Sequence, residues 1–104
     1  MSRRIDAPSS RIIEGKRYIL EKRNLLCEVN FANPKLFIDI FSKTQRLYCP
    51  QGKAFILETV YDLTGNIFET KKITRDEAMA YMDSHPYGIK EKVYIRYFGE
   101  PEEL

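Results

Sequence analysis

The most reactive side chains in this chain are Cys27, Cys49 and its one histidine, His85. A cysteine nucleophile needs a base beside it, and a zinc site needs ligands at paired spacing. Neither pattern occurs. The cysteines lie far apart, and His85 stands just before Pro86, where a helix would end. A histidine there suits the negative end of the helix dipole. Two buried, reduced thiols are the simpler reading, although the sequence leaves a Cys27–Cys49 pairing open. The carboxylates are also explained by structure. Asp76 and Glu77 fall in a helix-capping turn. Glu28 and Asp39 stand singly among apolar residues and read as partnered edge charges. The five glycines are scattered and form no phosphate-cradling loop. We therefore assign no catalytic residue, metal ligand or cofactor, and expect the protein not to be an enzyme.

Two sets of residues remain as candidates for binding. Seven Tyr and six Phe are more than one helix and a few strands need for their core. Tyr87, Tyr94, Tyr97 and Phe98 cluster near the end, with Arg96 among them. Aromatics and arginine are enriched where proteins meet, so these five residues are the candidate partner contacts. The second set is basic: Arg3, Arg4, Arg11, Lys16, Arg17, Lys22 and Arg23, against Asp6, Glu14 and Glu21. Such a segment suits phosphates or an acidic protein face. Tyrosines on a neighbouring sheet would stack bases. Net charge is nonetheless only +2, and Glu100, Glu102 and Glu103 make the end acidic.

Positioning these residues requires a frame, and the stretch from Leu47 to Asp83 supplies the clearest part of it. Ala54 to Asp62 is rich in β-branched and aromatic residues and apolar on both faces, so it reads as a central strand. Leu63-Thr64-Gly65-Asn66 is a turn, because Gly65 and Asn66 tolerate positive φ. Ile67 to Ile73 returns as a strand, and Lys71 and Lys72 would discourage further pairing if it lies at an edge. Thr74-Arg75-Asp76-Glu77 is a capping box that opens a helix. Ile73 and Ala78 sit as its hydrophobic staple, and Ala78, Tyr81 and Met82 form its buried stripe.

The flanks are less sharply patterned. Residues 1–10 read as a flexible arm. A short strand is expected from Arg11 to Glu14, with a break at Gly15. Tyr18 to Glu21 and Leu25 to Phe31 read as strands around Lys22-Arg23-Asn24, with one helix over Gly15 to Asn30 as the alternative. Asn33-Pro34 suggests a helix start, so Pro34 to Lys43 is assigned to a helix, although its residues also alternate as a strand would. Cys49-Pro50-Gln51-Gly52 marks a turn, with Arg46-Leu47-Tyr48 pairing across it. Lys92 to Phe98 alternates Val93, Ile95 and Tyr97 with Tyr94, Arg96 and Phe98, and reads as a closing strand. An exposed terminal strand would let two copies pair about a two-fold axis, so a homodimer is expected.

The expected fold is a single α+β domain over residues 1–104: a mostly antiparallel sheet of about four to six strands with one or two helices on one face. The chain is 43% hydrophobic and 31% charged, the composition of a soluble globular protein. No apolar run approaches the ~20 residues of a membrane span, and the start has no apolar signal core. A cytoplasmic location without membrane association is the expectation.

Leu47-Tyr48, Gly52-Lys53, Phe55-Ile56-Leu57 and Thr74-Arg75-Asp76-Glu77-Ala78 together resemble a group of short proteins from Firmicutes genomes and their mobile elements. That group carries Leu-Tyr, Lys-Gly, an apolar hairpin strand and a Ser/Thr-x-x-Glu-Ala helix. The order at Gly52-Lys53 is reversed here, and the likeness spans Leu47 to Met82. It implies a phage or plasmid accessory factor, such as an inhibitor of host defence or of CRISPR systems. Together with the residues, it points first to a non-enzymatic protein-binding factor. The alternative is a small nucleic-acid-binding module that uses the basic segment and a Tyr-bearing sheet.

Overall fold

The computed structural model describes residues 8–31, 42–52, 54–84 and 91–103. Arg3, Arg4, His85, Tyr87 and the expected helix from Pro34 up to residue 41 lie outside the described residues. The chain opens with a hairpin of β1 (Ser9–Ile13) and β2 (Lys16–Leu20). Its two-residue turn places Glu14 at φ 53° and Gly15 at φ 76°. Consecutive positive φ values match the twist of the flanking strands, and Gly15 meets that demand without steric cost. Ser9 and Ser10 thus belong to a strand rather than to an arm.

A 3₁₀ turn over Lys22–Asn24 leads into an antiparallel sheet of β3 (Leu25–Phe31), β4 (Lys43–Tyr48), β5 (Phe55–Tyr61) and β6 (Ile67–Ile73). The strands lie in sequence order, so β5 is central and β6 is an edge. Lys43 opens β4 instead of closing a helix: its Cα pairs with those of Phe31 and Tyr61 on the two neighbouring strands. Two helices follow, α1 (Arg75–Ser84) and α2 (Glu91–Phe98). The molecule is an α+β fold with both helices on one face of the four-stranded sheet.

Alternation along each strand divides the apolar residues between the two faces. Cys27, Leu47, Phe55, Leu57 and Ile73 point towards the helices and pack with Ala78, Met82 and Phe98. A register shift between Leu25 and Cys27 adds Leu26 to this face. On the opposite face Tyr48 and Ile56 meet Leu20, with Ile13, Tyr18 and Leu25 around them. The β1–β2 hairpin therefore covers the side that the helices leave open.

The start of α1 follows its local chemistry. The Glu77 amide donates to Thr74 Oγ1 at 3.1 Å, and the Thr74 amide donates to Glu77 Oε1 at 3.0 Å. Hydrogen bonds from the Thr74 amide and hydroxyl to the carboxylate hold Glu77 below its ordinary value. Ala78 and Met82 are fully buried, and Tyr81 donates to Gln45 Oε1 at 2.9 Å.

The expected closing strand from Lys92 to Phe98 is α2, a helix. Tyr94 and Phe98 stand four residues apart, and both packing and capping favour the helical period over alternation. Phe98 stacks on Phe55 with ring centroids 5.4 Å apart and contacts Tyr94 at 5.1 Å. Gly99, at φ 87°, ends the helix by donating its amide to the Ile95 carbonyl at 2.9 Å. Two copies therefore cannot pair through a strand at Lys92–Phe98.

Candidate functional site

The candidate site is a basic groove built where three distant segments converge. The first is the Lys22–Asn24 turn. Asn24 holds it in place: its side chain accepts from the Glu21 amide at 3.2 Å and donates to the Ile19 carbonyl at 3.0 Å. Its own carbonyl accepts the Cys49 amide at 2.8 Å, which ties this turn to the second segment, Cys49 to Gly52. There Gln51 adopts φ 56° and ψ 17°, a left-handed conformation costly for any residue but glycine, and Gly52 follows at φ 66°. The third segment is the exposed side of α2.

Between these segments lies a hollow of about 690 Å³ lined by Glu21, Arg23, Asn24, Gln51, Arg96 and Tyr97, among others. A second hollow of about 350 Å³ adjoins it and is lined by Phe55, Lys72, Thr74, Arg75 and Tyr97. Cys49, Gly52 and Tyr97 border both. Among the described residues, the two hollows together are lined by Arg23, Arg96, Lys72 and Arg75, with Glu21 as the one carboxylate. Arg23 pairs with Glu21, and its side chain is 85% exposed. Arg75 donates to the Phe98 carbonyl at 3.1 Å and lies over the Phe98 ring. Arg96 is exposed and lies 5.7 Å from the centroid of the Tyr97 ring. The result is a positively charged channel with one half-buried tyrosine at its centre.

Of the expected partner contacts, Arg96 and Tyr97 line this groove. Phe98 is buried, Tyr94 is half-buried against the helix-side core, and neither lines the groove. Of the basic set, Arg23 joins the groove, while Lys16, Arg17 and Lys22 are exposed elsewhere. Arg11 is committed to structure. Its Nε and Nη2 donate to the two Glu58 carboxylate oxygens at 2.6 and 2.9 Å, which raises its pKa further. Glu58 is 5% exposed and also accepts from Thr70 Oγ1 at 2.7 Å. Next to it in the register, buried Arg46 donates to Glu28 Oε2 at 2.6 Å. A line of alternating charge thus crosses the sheet beneath the hairpin. Lys72, Arg75 and Gln51 are groove residues that the sequence reading missed. The turn signal at Cys49 to Gly52 hints at Gln51 alone.

The thiols show no activation. Both cysteines are buried and free, and burial pushes Cys27 up to about 11. Burial also raises Cys49, against an opposing hydrogen bond from Ala54. A thiol held protonated at neutral pH is a poor nucleophile. Among the described residues no group of three or more His, Cys, Asp or Glu side chains is placed to hold a metal ion. No helix among them is long and apolar enough to cross a membrane. Comparison with family models, with curated proteins and with solved structures returns no match.

Proposed function

We propose that this protein is a non-enzymatic binding factor whose basic groove takes an acidic segment of a partner protein. The observation that carries this reading is the lining itself: Arg23, Arg96, Lys72 and Arg75 around Tyr97, with Glu21 as the one carboxylate among the described residues. Arginine and tyrosine are the residue types that most often anchor protein contacts. The surroundings favour a protein over a nucleic acid. Glu100, Glu102 and Glu103 are exposed and follow α2 in the chain, just after Phe98, whose carbonyl accepts from Arg75. Three carboxylates that follow α2 directly in the chain disfavour a continuous phosphate backbone, whereas a protein segment can offer its own cations to them. Occupying a partner's acidic segment would give the accessory or inhibitory action that the sequence resemblance implies.

Selection of binders from a random peptide display library with the intact chain tests this. Peptides enriched in Asp and Glu are expected. The double change Lys72→Glu and Arg96→Glu should weaken them at least ~10-fold. A selection without acidic enrichment, or peptides indifferent to both changes, overturns the reading.

One observation favours nucleic-acid contact as a second reading. The Lys43 ammonium sits 5.4 Å from the Tyr61 ring centroid and 4.7 Å from that of Phe68, on the helix-side face of the sheet. Aromatics beside a cation suit base stacking. This reading predicts single-stranded RNA or DNA affinity that falls steeply with salt and drops on Tyr61→Ala.

A further inference from the structure

Among the described residues no strand pairs with the outer edge of β6, which is joined to β5 alone. Along its length Ile67 is 48% and Phe68 53% exposed. Unpaired edges invite a second strand, and lysines on an edge normally deter one. Here Lys71 and Lys72 do something more selective, because Glu69 precedes them.

A two-fold axis perpendicular to the sheet keeps each face on its own side. Residues directly opposite one another must then belong to the same face, and the axis must pass at a residue. Glu69 and Lys71 share the helix-side face, where Lys71 lines a shallow hollow with Ala80 and Tyr81. Thr70 points the other way, to Glu58. An axis at Glu69 sets Glu69 against its own copy. An axis at Lys71 or Lys72 sets lysine against lysine. Of these registers, only an axis at Thr70 avoids like charges. It places Glu69 of each copy opposite Lys71 of the other, twice, with the threonines paired between them. Opposite charges directly across strands stabilise a pairing, and like charges destabilise it.

We propose that β6 is a self-association edge, through which two copies join antiparallel about an axis at Thr70 and their sheets become one. Within one strand Lys71 Nζ already lies 3.7 Å from Glu69 Oε1, both side chains about half exposed. In the pair, these charges form a square of alternating sign. Glu77 of α1 also faces Lys71 and adds to the field holding it. One strand pair buries less than a standard interface of ~1,600 Å², so the dimer is weak and concentration-dependent. β6 also lends Lys72 to the basic groove, but the pairing argument rests on Glu69, Thr70 and Lys71, none of which lines it.

Sedimentation of the intact chain over a wide concentration range tests it, with circular dichroism to verify folding. The wild type should pass from monomer to dimer as concentration rises. Glu69→Lys alone and Lys71→Glu alone each create like-charge pairs and should weaken the dimer at least ~10-fold. The double variant E69K/K71E restores unlike pairs and should restore the dimer. In the wild type, the amide resonances of Glu69 to Lys72 should shift with concentration, a readout that needs no variant. A wild type that stays monomeric overturns the proposal. So do single variants that dimerise as well as wild type, or a double variant that stays as weak as the singles.

Discussion

Replacing Arg11 with alanine isolates what holds the hairpin to the sheet. The change removes two charge-assisted bonds, of 2.6 and 2.9 Å, to a carboxylate whose side chain is 7% exposed. Breaking a fully buried pair costs about 3–5 kcal/mol, because the remaining charge is left without its partner. Two features reduce that figure. The Arg11 side chain is 23% exposed, and Glu58 keeps its bond from Thr70 and its place beside Arg46. A loss of about 2–3 kcal/mol follows. In a chain of this size that lowers Tm by about 10–20 °C. Urea denaturation gives the free energy, with the slope unchanged if the unfolded ensemble is the same. Arg11→Lys should recover only part of the loss, since an ammonium cannot grip both oxygens. Arg23→Ala is the control: its side chain is 85% exposed, and the cost should stay below about 0.5 kcal/mol. If Arg11→Ala costs no more than Arg23→Ala, the pair does not anchor the hairpin and the reasoning fails.

Thermal melts should show Thr74→Ala destabilised by about 1 kcal/mol and Thr74→Ser close to wild type, since serine keeps the capping oxygen. Gln51→Gly should raise stability by about 0.5–1 kcal/mol, because glycine adopts φ 56° without strain. An unchanged or lower Tm would mean the side chain makes compensating contacts. Burial pushes the Asp62 carboxyl up, but hydrogen bonds from Thr44, Asn30 and Ser42 overcome this and hold it below its ordinary 3.8. A depressed folded-state pKa contributes stability above the unfolded value and loses it as pH falls through the folded one. Denaturation midpoints measured below about pH 4 should therefore fall less steeply for Asp62→Asn than for wild type.

Elements defined by local chemistry were legible in the sequence. The Gly65 turn and the Thr74 capping box need only neighbouring residues, and both form, with Gly65 at φ 74°. α2 was misread because Val93, Ile95 and Tyr97 are β-formers at period two, while the signal that decides it, Tyr94 to Phe98, matters only once Phe55 is in place. The Glu28–Arg46–Glu58–Arg11 line depends on strand register across four separate segments, which no single stretch reports. The groove was half visible for the same reason. Arg23, Arg96 and Tyr97 stood out by composition, but only tertiary packing brings Lys72 and Arg75 beside them.

The split of apolar side chains between two faces has a dynamic consequence. The Leu20, Tyr48 and Ile56 cluster shares no buried residue with the helix-side core. The β1–β2 hairpin can consequently lift away while the larger core stays closed, at a cost below that of global unfolding. Amides of β1 and β2 should then exchange with solvent faster than those of β4 and β5, and the molecule would breathe from its N-terminal side.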